Sequence, residues 1–243
     1  MDTPPFELRW LAPDSPPDSF PHPDAALRNP NGLLAAGGDL SVERLLCAYR
    51  RGIFPWYSDP QPILWWSPDP RCMIFPEKLH ISRSLRRQLR QEKYVATLDT
   101  AFAAVVEACA APRRDQTTGG TWITKAMLRA YSQLHRHGYA HSIEIRMQGK
   151  LVGGLYGVAL GGVFFGESMF SRRSNASKIA LACLVKQLQA WNFGLLDCQI
   201  PSEHLQRLGA VCLPRSEFLE LLAHYSVSLN RQGRWQFEAD LEF

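Results

Sequence analysis

The chain has 243 residues, of which 46% are hydrophobic and 21% charged, so a globular protein with a real core is expected and a disordered one is excluded. No apolar run approaches the roughly 20 residues of a membrane span, and residues 1–5 lack the basic start of a secretory signal, so we expect neither a membrane span nor a signal peptide. The six scattered cysteines form no Cys-x-x-Cys pair, which argues against a zinc cluster and a disulfide framework and favours the reducing cytoplasm.

The net charge of +4 is concentrated in one segment. Residues 71–93 carry seven basic and two acidic side chains, whereas the rest of the chain has a net charge of −1. A local excess of this kind favours an anionic partner.

Residues 1–72 are predicted to form a small N-terminal α+β domain, and residues 73–243 a larger second domain. The beginning of the first domain is rich in proline and is expected to be irregular. Ser41 is a typical N-cap for a helix that runs through Arg51. A stretch dense in aromatic residues and proline then completes this domain.

A second helix is predicted over residues 82–92, and one of its faces is basic. The spacing by three and four residues puts four arginines on that face: Arg83, Arg86, Arg87 and Arg90. Such runs are usually a solvated charged surface, but this one has no interleaved acid. Because the planar guanidinium group can hold a phosphate through two hydrogen bonds, the pattern favours contact with a nucleic-acid backbone.

The second domain is predicted to contain an antiparallel series of strands and a long helix. In chain order, the sequence predicts helices over residues 99–110 and 125–137, a polar loop over 112–120 between them, strands over 141–146, 151–158 and from 163, a helix from 174 or 175 to 191, and a strand over 195–200. This order is similar to that of the acetyl-CoA-dependent N-acetyltransferases, although secondary structure alone makes the analogy weak.

Three polar side chains in this domain are candidates for chemistry. Asp197 and Gln199 are two residues apart in a predicted strand and should share a face, with Cys198 pointing away. Glu167 is likewise a carboxylate next to apolar residues, since it comes shortly after the apolar residues 163–165. A polar sheet edge would explain such residues, but a carboxylate among apolar neighbours is costly unless it is bonded or used. Two acids near an apolar surface could attract a cationic substrate.

Other chemistries lack their residues. No phosphate-binding loop of the form GxxxxGK[ST] occurs, and Gly138 separates the histidine pair His137 and His141, so neither nucleotide hydrolysis nor a metal site is indicated. Residues 166–169 lack the second glycine of a serine nucleophile elbow. Residues 171–175 are cationic but contain no glycine, which weakens an acetyl-CoA site.

Long motifs recur between residues 30 and 215: PNGLLA (30–35), GGDL (37–40), RGIFPW (51–56), WWSPDPR (65–71), LHISRS (79–84), GTWIT (120–124), GYAHSIE (138–144), LVGGLYGV (151–158), FGESMFSR (165–172) and LDCQI (196–200). Through these motifs, the chain resembles the leucyl/phenylalanyl-tRNA–protein transferases. The resemblance implies an α+β protein with an N-acetyltransferase-like second domain, in which a mixed and mainly antiparallel sheet is flanked by helices.

The same resemblance implies the activity. The enzyme would transfer leucine or phenylalanine, less readily methionine, from aminoacyl-tRNA to the α-amine of proteins that begin with arginine or lysine, and so mark them for proteolysis. The ester is already activated, so no cofactor and no metal is expected. We expect a cytoplasmic monomer without a membrane partner. An acetyl-CoA-type N-acyltransferase and a noncatalytic RNA-binding protein are the alternatives.

The resemblance also implies roles for individual residues. Gln199, polarised by Asp197, would help to remove a proton from the attacking amine, and Glu167 would bind the cationic end of the acceptor. The arginine face of residues 83–90 would hold the tRNA backbone. The pocket for the aminoacyl group and adenosine would be formed by Trp56, Trp122, Tyr131, Leu155, Phe164, Met169, Leu181 and Leu196.

Overall fold

Two β-sheets organise the part of the chain that the computed structural model describes, which is residues 8–91, 93–111, 123–228 and 230–238. The first sheet has the strand order β1-β2-β4-β3. Its strands are β1 (Arg9–Leu11), β2 (Leu33–Gly37), β3 (Phe54–Pro55) and β4 (Leu64–Trp66). Strands β1 and β2 are parallel and the other neighbours are antiparallel. Helix α1 (Val42–Arg50) begins after Ser41, whose side chain accepts a hydrogen bond from the Arg44 backbone N–H, as predicted.

The second sheet has seven strands in the order β11-β5-β10-β9-β8-β7-β6. They are β5 (Arg71–Ile74), β6 (Val95–Leu98), β7 (Ala140–Met147), β8 (Lys150–Leu160), β9 (Val163–Ser171), β10 (Leu195–Gln199) and β11 (Val211–Leu213). Only the β9–β10 pair is parallel among the pairs in this sheet. The predicted mixed and mainly antiparallel sheet of an α+β protein is therefore confirmed.

Helices cover both faces of the second sheet. They are α2 (Arg83–Leu89), α3 (Phe102–Ala110), α4 (Lys125–Arg136), α5 (Ala176–Ala190), α6 (Glu203–Gln206) and α7 (Arg215–Ser226). Successive residues of β9 show the two layers, since Phe165 packs in the cluster with α1, α3 and α4, whereas Phe164 packs in the cluster with α2 and α5. Because strand side chains alternate between faces, one strand supplies both cores.

The first sheet shares a hydrophobic cluster with the second. Trp65 of β4 and Tyr49 of α1 lie in the same buried cluster as Tyr131 of α4 and Phe165 of β9. The predicted domain boundary at residue 72 falls inside β5 of the second sheet. Whether the first 72 residues form a separate domain stays a prediction.

Local differences from the predicted elements have identifiable causes. Asn175 occupies the N-cap position of α5, but its backbone is left-handed (φ 64°) and its side chain donates to Gln88 instead of capping the helix. The strand predicted over 195–200 ends at Gln199, which also has a positive φ. In the second sheet and its helices, β5, β6, β11, α6 and α7 were not predicted from the sequence. The polar loop predicted over 112–120 lies outside the described residues.

The cysteine spacing argues against a disulfide framework, but one pair of cysteines is bonded. Cys72 of β5 and Cys212 of β11 are joined in a disulfide. The two residues are register partners on neighbouring antiparallel strands, although 140 residues separate them in the chain. Sequence spacing could not show this, because strand pairing brings distant segments together.

Across the described ranges, no helix is long and apolar enough to cross a bilayer. The same ranges contain no group of three or more histidine, cysteine or acidic side chains arranged to hold a metal ion.

Candidate active site

Glu167 lies in the middle of β9 and is held by two tyrosines from different helices. The Tyr49 hydroxyl of α1 donates to Glu167 Oε1 at 2.7 Å, and the Tyr131 hydroxyl of α4 donates to Oε2 at 2.6 Å. The two hydroxyl oxygens are themselves 2.6 Å apart. Burial raises the pKa of Glu167 to about 7, although the two tyrosine hydrogen bonds act in the opposite direction. This carboxyl group can therefore gain or lose a proton near neutral pH.

Asp197 of β10 is fully buried and paired with Arg71 of β5. Arg71 Nε donates to Asp197 Oδ1 at 2.8 Å, and Arg71 Nη2 donates to Oδ2 at 2.7 Å. Both side chains are inaccessible to solvent, and Nη1 of Arg71 donates to the carbonyl of Gly52. The guanidinium group lies between the rings of Phe54 and Phe218, 4.8 and 4.6 Å from their centroids. The charge of Asp197 is thus neutralised by a neighbour.

A β-bulge separates Asp197 from Gln199. Asp197 pairs with Met73 of β5 and Gln199 with the very next residue, Cys72, so Cys198 is an extra residue. The alternation that predicts a shared face for Asp197 and Gln199 does not hold here, because the bulge and the positive φ of Gln199 turn the chain.

The bulge leaves the amide group of Gln199 available. Asp197 Oδ1 accepts a hydrogen bond from the backbone N–H of Gln199 at 3.0 Å. The side-chain nitrogen Nε2 of Gln199 is buried and has no hydrogen-bond partner among the described residues. Asp197 therefore fixes the main chain of Gln199, while the side chain keeps an unused donor.

Two cavities meet at these residues. The larger has a volume of about 1020 Å³ and lies over β8, β9 and β10. The smaller has a volume of about 200 Å³ and lies beside β3. Both are lined by Glu167, Cys198 and Gln199. These three residues are therefore part of the walls of both cavities.

The structure brings most, but not all, of the predicted pocket residues to the cavities. The larger cavity is lined by four of them: Leu155, Phe164, Met169 and Leu196. Trp56 lines the smaller cavity and is 40% exposed. Tyr131 lines neither cavity, since it is buried behind Glu167, and Leu181 is a core residue of α5, where Leu184 lines the larger cavity instead. Trp122 lies outside the described residues.

Asp197 also lines neither cavity, so its contribution to the site passes through Arg71 and Gln199. The four arginines of residues 83–90 are exposed on and just after α2, away from the cavity walls. On the opposite side of α2, Leu85 is buried in the cluster that includes α5, as the spacing predicts.

Sequence reasoning missed three residues of the site. Arg71 belongs to the basic segment of the sequence and Tyr49 to helix α1, and neither pattern by itself indicates a role in the site. Tyr156 of β8 lines the larger cavity, and its buried hydroxyl has no partner among the described residues. The signal for Arg71 was its place at the end of the WWSPDPR motif and at the start of a buried strand, where an unpaired charge would be costly.

The site is suited to proton exchange and orientation. Burial raises the pKa of the Cys198 thiol well above its usual range, so this side chain stays protonated and is a poor nucleophile. What remains at the shared wall is a carboxyl group that titrates near neutrality and an amide donor without a partner. These groups could orient an amine and a carbonyl compound and accept a proton.

Comparison with sequence families gives two matches. Residues 73–223 match the family described as leucyl/phenylalanyl-tRNA protein transferase, and residues 38–69 match the N-terminal domain of the same family. The first match spans β5 to α7 and thus contains Glu167, Asp197 and Gln199.

Curated relatives are similar over almost the whole chain. A leucyl/phenylalanyl-tRNA–protein transferase of Pseudomonas fluorescens (strain SBW25) is 60% identical over 228 residues, which are 94% of this chain and 99% of the relative. A protein of the same name from Alkalilimnicola ehrlichii is 56% identical over 238 residues, which are 98% of this chain and 92% of the relative.

Solved structures are similar only at a distance. L-PGS from Bacillus licheniformis aligns with 70% of this chain and 53% of its own at 10% identity and a TM-score of 0.38. A GCN5-related N-acetyltransferase from Kribbella flavida aligns with 70% of this chain and 59% of its own at 14% identity and a TM-score of 0.34.

Proposed function

This chain belongs to the leucyl/phenylalanyl-tRNA protein transferase family and is an aminoacyltransferase, and from that premise we propose its substrates and the roles of its residues. It transfers leucine or phenylalanine, and less readily methionine, from the 3′ end of a tRNA to the α-amine of a protein that begins with arginine or lysine. The product is thereby marked for proteolysis. The enzyme acts as a monomer in the cytoplasm. The observation that carries the proposal is the junction of two cavities at Glu167 and Gln199.

The larger cavity receives the aminoacyl side chain. Its apolar residues Leu155, Phe164, Met169 and Leu196 offer the contacts that a leucine or phenylalanine side chain needs. Such a pocket discriminates by only about 1–3 kcal/mol per methylene, so rejection of β-branched side chains depends on its shape. Trp56, at the smaller cavity, offers an aromatic face on which adenine can stack. Trp122 and Leu181, expected in this pocket, stay predictions.

The reaction is aminolysis of an ester. The amine attacks the carbonyl carbon, a C–N bond forms, and the bond to the 3′ oxygen of the tRNA breaks. An α-amine has a pKa of about 7.7–8, so a useful fraction is neutral near pH 7. The free Nε2 of Gln199 can donate to the ester carbonyl or orient the amine, and Asp197 supports this by holding the Gln199 backbone.

Glu167 attracts the cationic acceptor. It is the carboxylate at the wall common to both cavities, whereas Asp197 is paired with Arg71. An acceptor that begins with arginine or lysine brings two positive charges to this wall, its α-ammonium group and its side chain. The preference for such acceptors follows from opposite charges at close range in a partly buried site.

The arginine face of α2 binds the tRNA backbone. Arg83, Arg86, Arg87 and Arg90 are exposed, and the nearby chain supplies no acid to neutralise them within the helix. Contacts to phosphate position a nucleic acid without reading its bases. This explains how one enzyme accepts several tRNAs of different sequence.

A transfer assay tests the proposal. The enzyme is incubated with Leu-tRNA labelled in the amino acid and with a peptide that begins with arginine; a matched peptide that begins with aspartate is the control. We expect label in the first peptide and little in the second. Equal labelling of both would contradict the acceptor preference. Acetylation of the peptide from acetyl-CoA, or tRNA binding without any transfer, would contradict the proposed reaction.

A further inference from the structure

We propose that Glu167 is the group that takes the proton from the attacking amine, and that Tyr49 and Tyr131 hold this proton in a closed ring of hydrogen bonds. This rests on the proposed function and assigns a step of the same reaction. Tyr49 thereby becomes a positioning residue of the active site.

The three side chains form a triangle that is one proton short. Its contacts measure 2.6 Å between the two tyrosine hydroxyls, 2.7 Å from Tyr49 to Glu167 Oε1 and 2.6 Å from Tyr131 to Oε2. When the carboxyl group is ionised, the hydroxyls supply only two protons for these three contacts. One pair of oxygens then faces each other without a hydrogen, which is unfavourable in a buried site.

A third proton completes the ring. The protonated carboxyl group donates to one hydroxyl, this hydroxyl donates to the other, and the second donates back to the remaining carboxylate oxygen. All three short contacts are then hydrogen bonds. The geometry therefore favours uptake of one proton by the cluster, independently of any pKa value.

The surroundings of Glu167 agree with this role. The titratable and charged groups that face it or line the same large cavity are Tyr49, Tyr131, Tyr156, Arg71, Asp197, Cys198, Cys109, Arg172 and His204. Burial keeps the pKa of all three tyrosines well above the usual value, so they remain donors. Burial raises the pKa of Glu167 to about 7, which is near the operating pH, where a general base is most effective.

The competing groups are less suited to accept the proton. Asp197 is paired with the positive charge of Arg71, which Glu167 is not, and it lines neither cavity, so it does not reach the amine. Gln199 carries a neutral amide, which is a very weak base. Glu167 is the remaining oxygen base at the wall where amine and ester meet.

The protons balance over the reaction. The amine forms its bond to the carbonyl carbon and loses one proton to the Glu167 carboxylate. When the bond to the 3′ oxygen of the tRNA breaks, the carboxyl group returns the proton to that oxygen. The products are the amide and a tRNA with a free 3′ hydroxyl, and Glu167 is again ionised.

The test is the pH dependence of the single-turnover transfer rate at saturating Leu-tRNA. Two acceptor peptides with different α-amine pKa values are compared, because only the limb of the profile that belongs to the amine should move between them. We expect a second limb near pH 7 that stays in place. Glu167→Gln should lose this limb and slow the step by about 10²–10⁴-fold, with unchanged tRNA affinity.

Tyr49→Phe gives a readout that a purely structural role would not move. It opens the ring that favours the protonated carboxyl group, so the limb near pH 7 should shift downward by on the order of one pH unit. Tyr57→Phe is the matched control, since it removes a buried tyrosine hydroxyl that contacts Thr124 and not Glu167. We expect its profile to match that of the unmodified enzyme.

Two results would overturn the proposal. In the first, Glu167→Gln raises only the KM for the peptide and keeps the maximal rate, which would leave Glu167 a binding residue. In the second, Tyr49→Phe lowers the rate equally at every pH or moves the limb near pH 7 upward, which would show that no ring holds the proton. Failure of the proposed function is distinct from both, because the unmodified enzyme would then transfer no label at any pH.

Discussion

Arg71 and Asp197 form the most buried ion pair of the site, and the main contribution of this pair is to position neighbouring groups. Two charges removed from water gain little net stability as a pair, but loss of one partner leaves the other unpaired in the core. The pair also has a second consequence, because the same Asp197 oxygen that accepts from Arg71 holds the backbone of Gln199. Stability and alignment can therefore be separated by mutation.

Arg71→Met should lower the free energy of unfolding by about 3–5 kcal/mol, because it leaves the Asp197 carboxylate buried without a counter-charge. The double variant Arg71→Met/Asp197→Leu should recover most of this loss. Urea denaturation followed by circular dichroism measures both. A single variant as stable as the unmodified protein would show that the pair is not the buried contact described here.

The double variant should bind tRNA normally and transfer slowly. The double substitution leaves no unpaired charge in the core, but the backbone N–H of Gln199 loses its hydrogen bond to Asp197. The side-chain amide of Gln199 at the shared wall is then no longer fixed. Filter binding and the labelled transfer assay give the two quantities. Normal transfer by a stable double variant would contradict the supporting role of Asp197.

Single residues were only partly predictable from sequence. Glu167, Asp197 and Gln199 could be selected because polar groups in apolar strands are unusual and because they lie in recognisable motifs. The role of Arg71 could not, since it depends on a strand pairing between residues 126 positions apart. The bulge at Cys198 was equally invisible, because strand periodicity assumes one residue opposite one.

At the scale of the elements, the short helix α2 has one buried apolar side and one exposed basic side. Leu85 is buried against the cluster that includes α5, while the arginines point to solvent. Local spacing was sufficient to predict this, as it was for α1, α4 and strands β7 to β9. The same spacing is present in α7, where Phe218 and Leu222 are buried one turn apart, so that helix was predictable in principle.

Replacement of Arg83, Arg86 and Arg87 by alanine should weaken tRNA binding and flatten its salt dependence. If each arginine contacts one phosphate, the slope of log affinity against log salt should fall in magnitude by about 2–3. The control is alanine at three exposed cations of α4: Lys125, Arg129 and Arg136. An unchanged slope in the α2 variant would reject this helix as the tRNA contact.

At the scale of the whole molecule, the end of the described chain packs against the second sheet. Trp235 is 4% exposed, and its ring stacks on the buried ring of His141 at a centroid distance of 3.6 Å. Its backbone N–H donates to Asp99, which also bonds to His141. The packing of this tail could not be predicted from the sequence, because its contacts are made with segments far away in the chain.

Trp235→Ala should lower the free energy of unfolding by about 3–5 kcal/mol, since it empties a packed aromatic cluster. The matched control is Trp10→Ala, because Trp10 is 63% exposed and its loss should change stability by less than about 1 kcal/mol. Thermal and urea unfolding of both variants provide the comparison. Equal effects would contradict the assignment of the tail to the core.

The shared wall of the two cavities also has a consequence for the kinetic mechanism of the enzyme. The cavities proposed for donor and acceptor share Glu167, Cys198 and Gln199 as lining residues, and burial raises the pKa of the Cys198 thiol, which makes it a poor nucleophile. No acyl-enzyme is then needed, and neither substrate must depart before the other arrives. We therefore expect a sequential mechanism in which both substrates are bound at once. Double-reciprocal plots of initial velocity at varied donor and acceptor concentrations should give intersecting lines, whereas parallel lines would indicate a ping-pong mechanism.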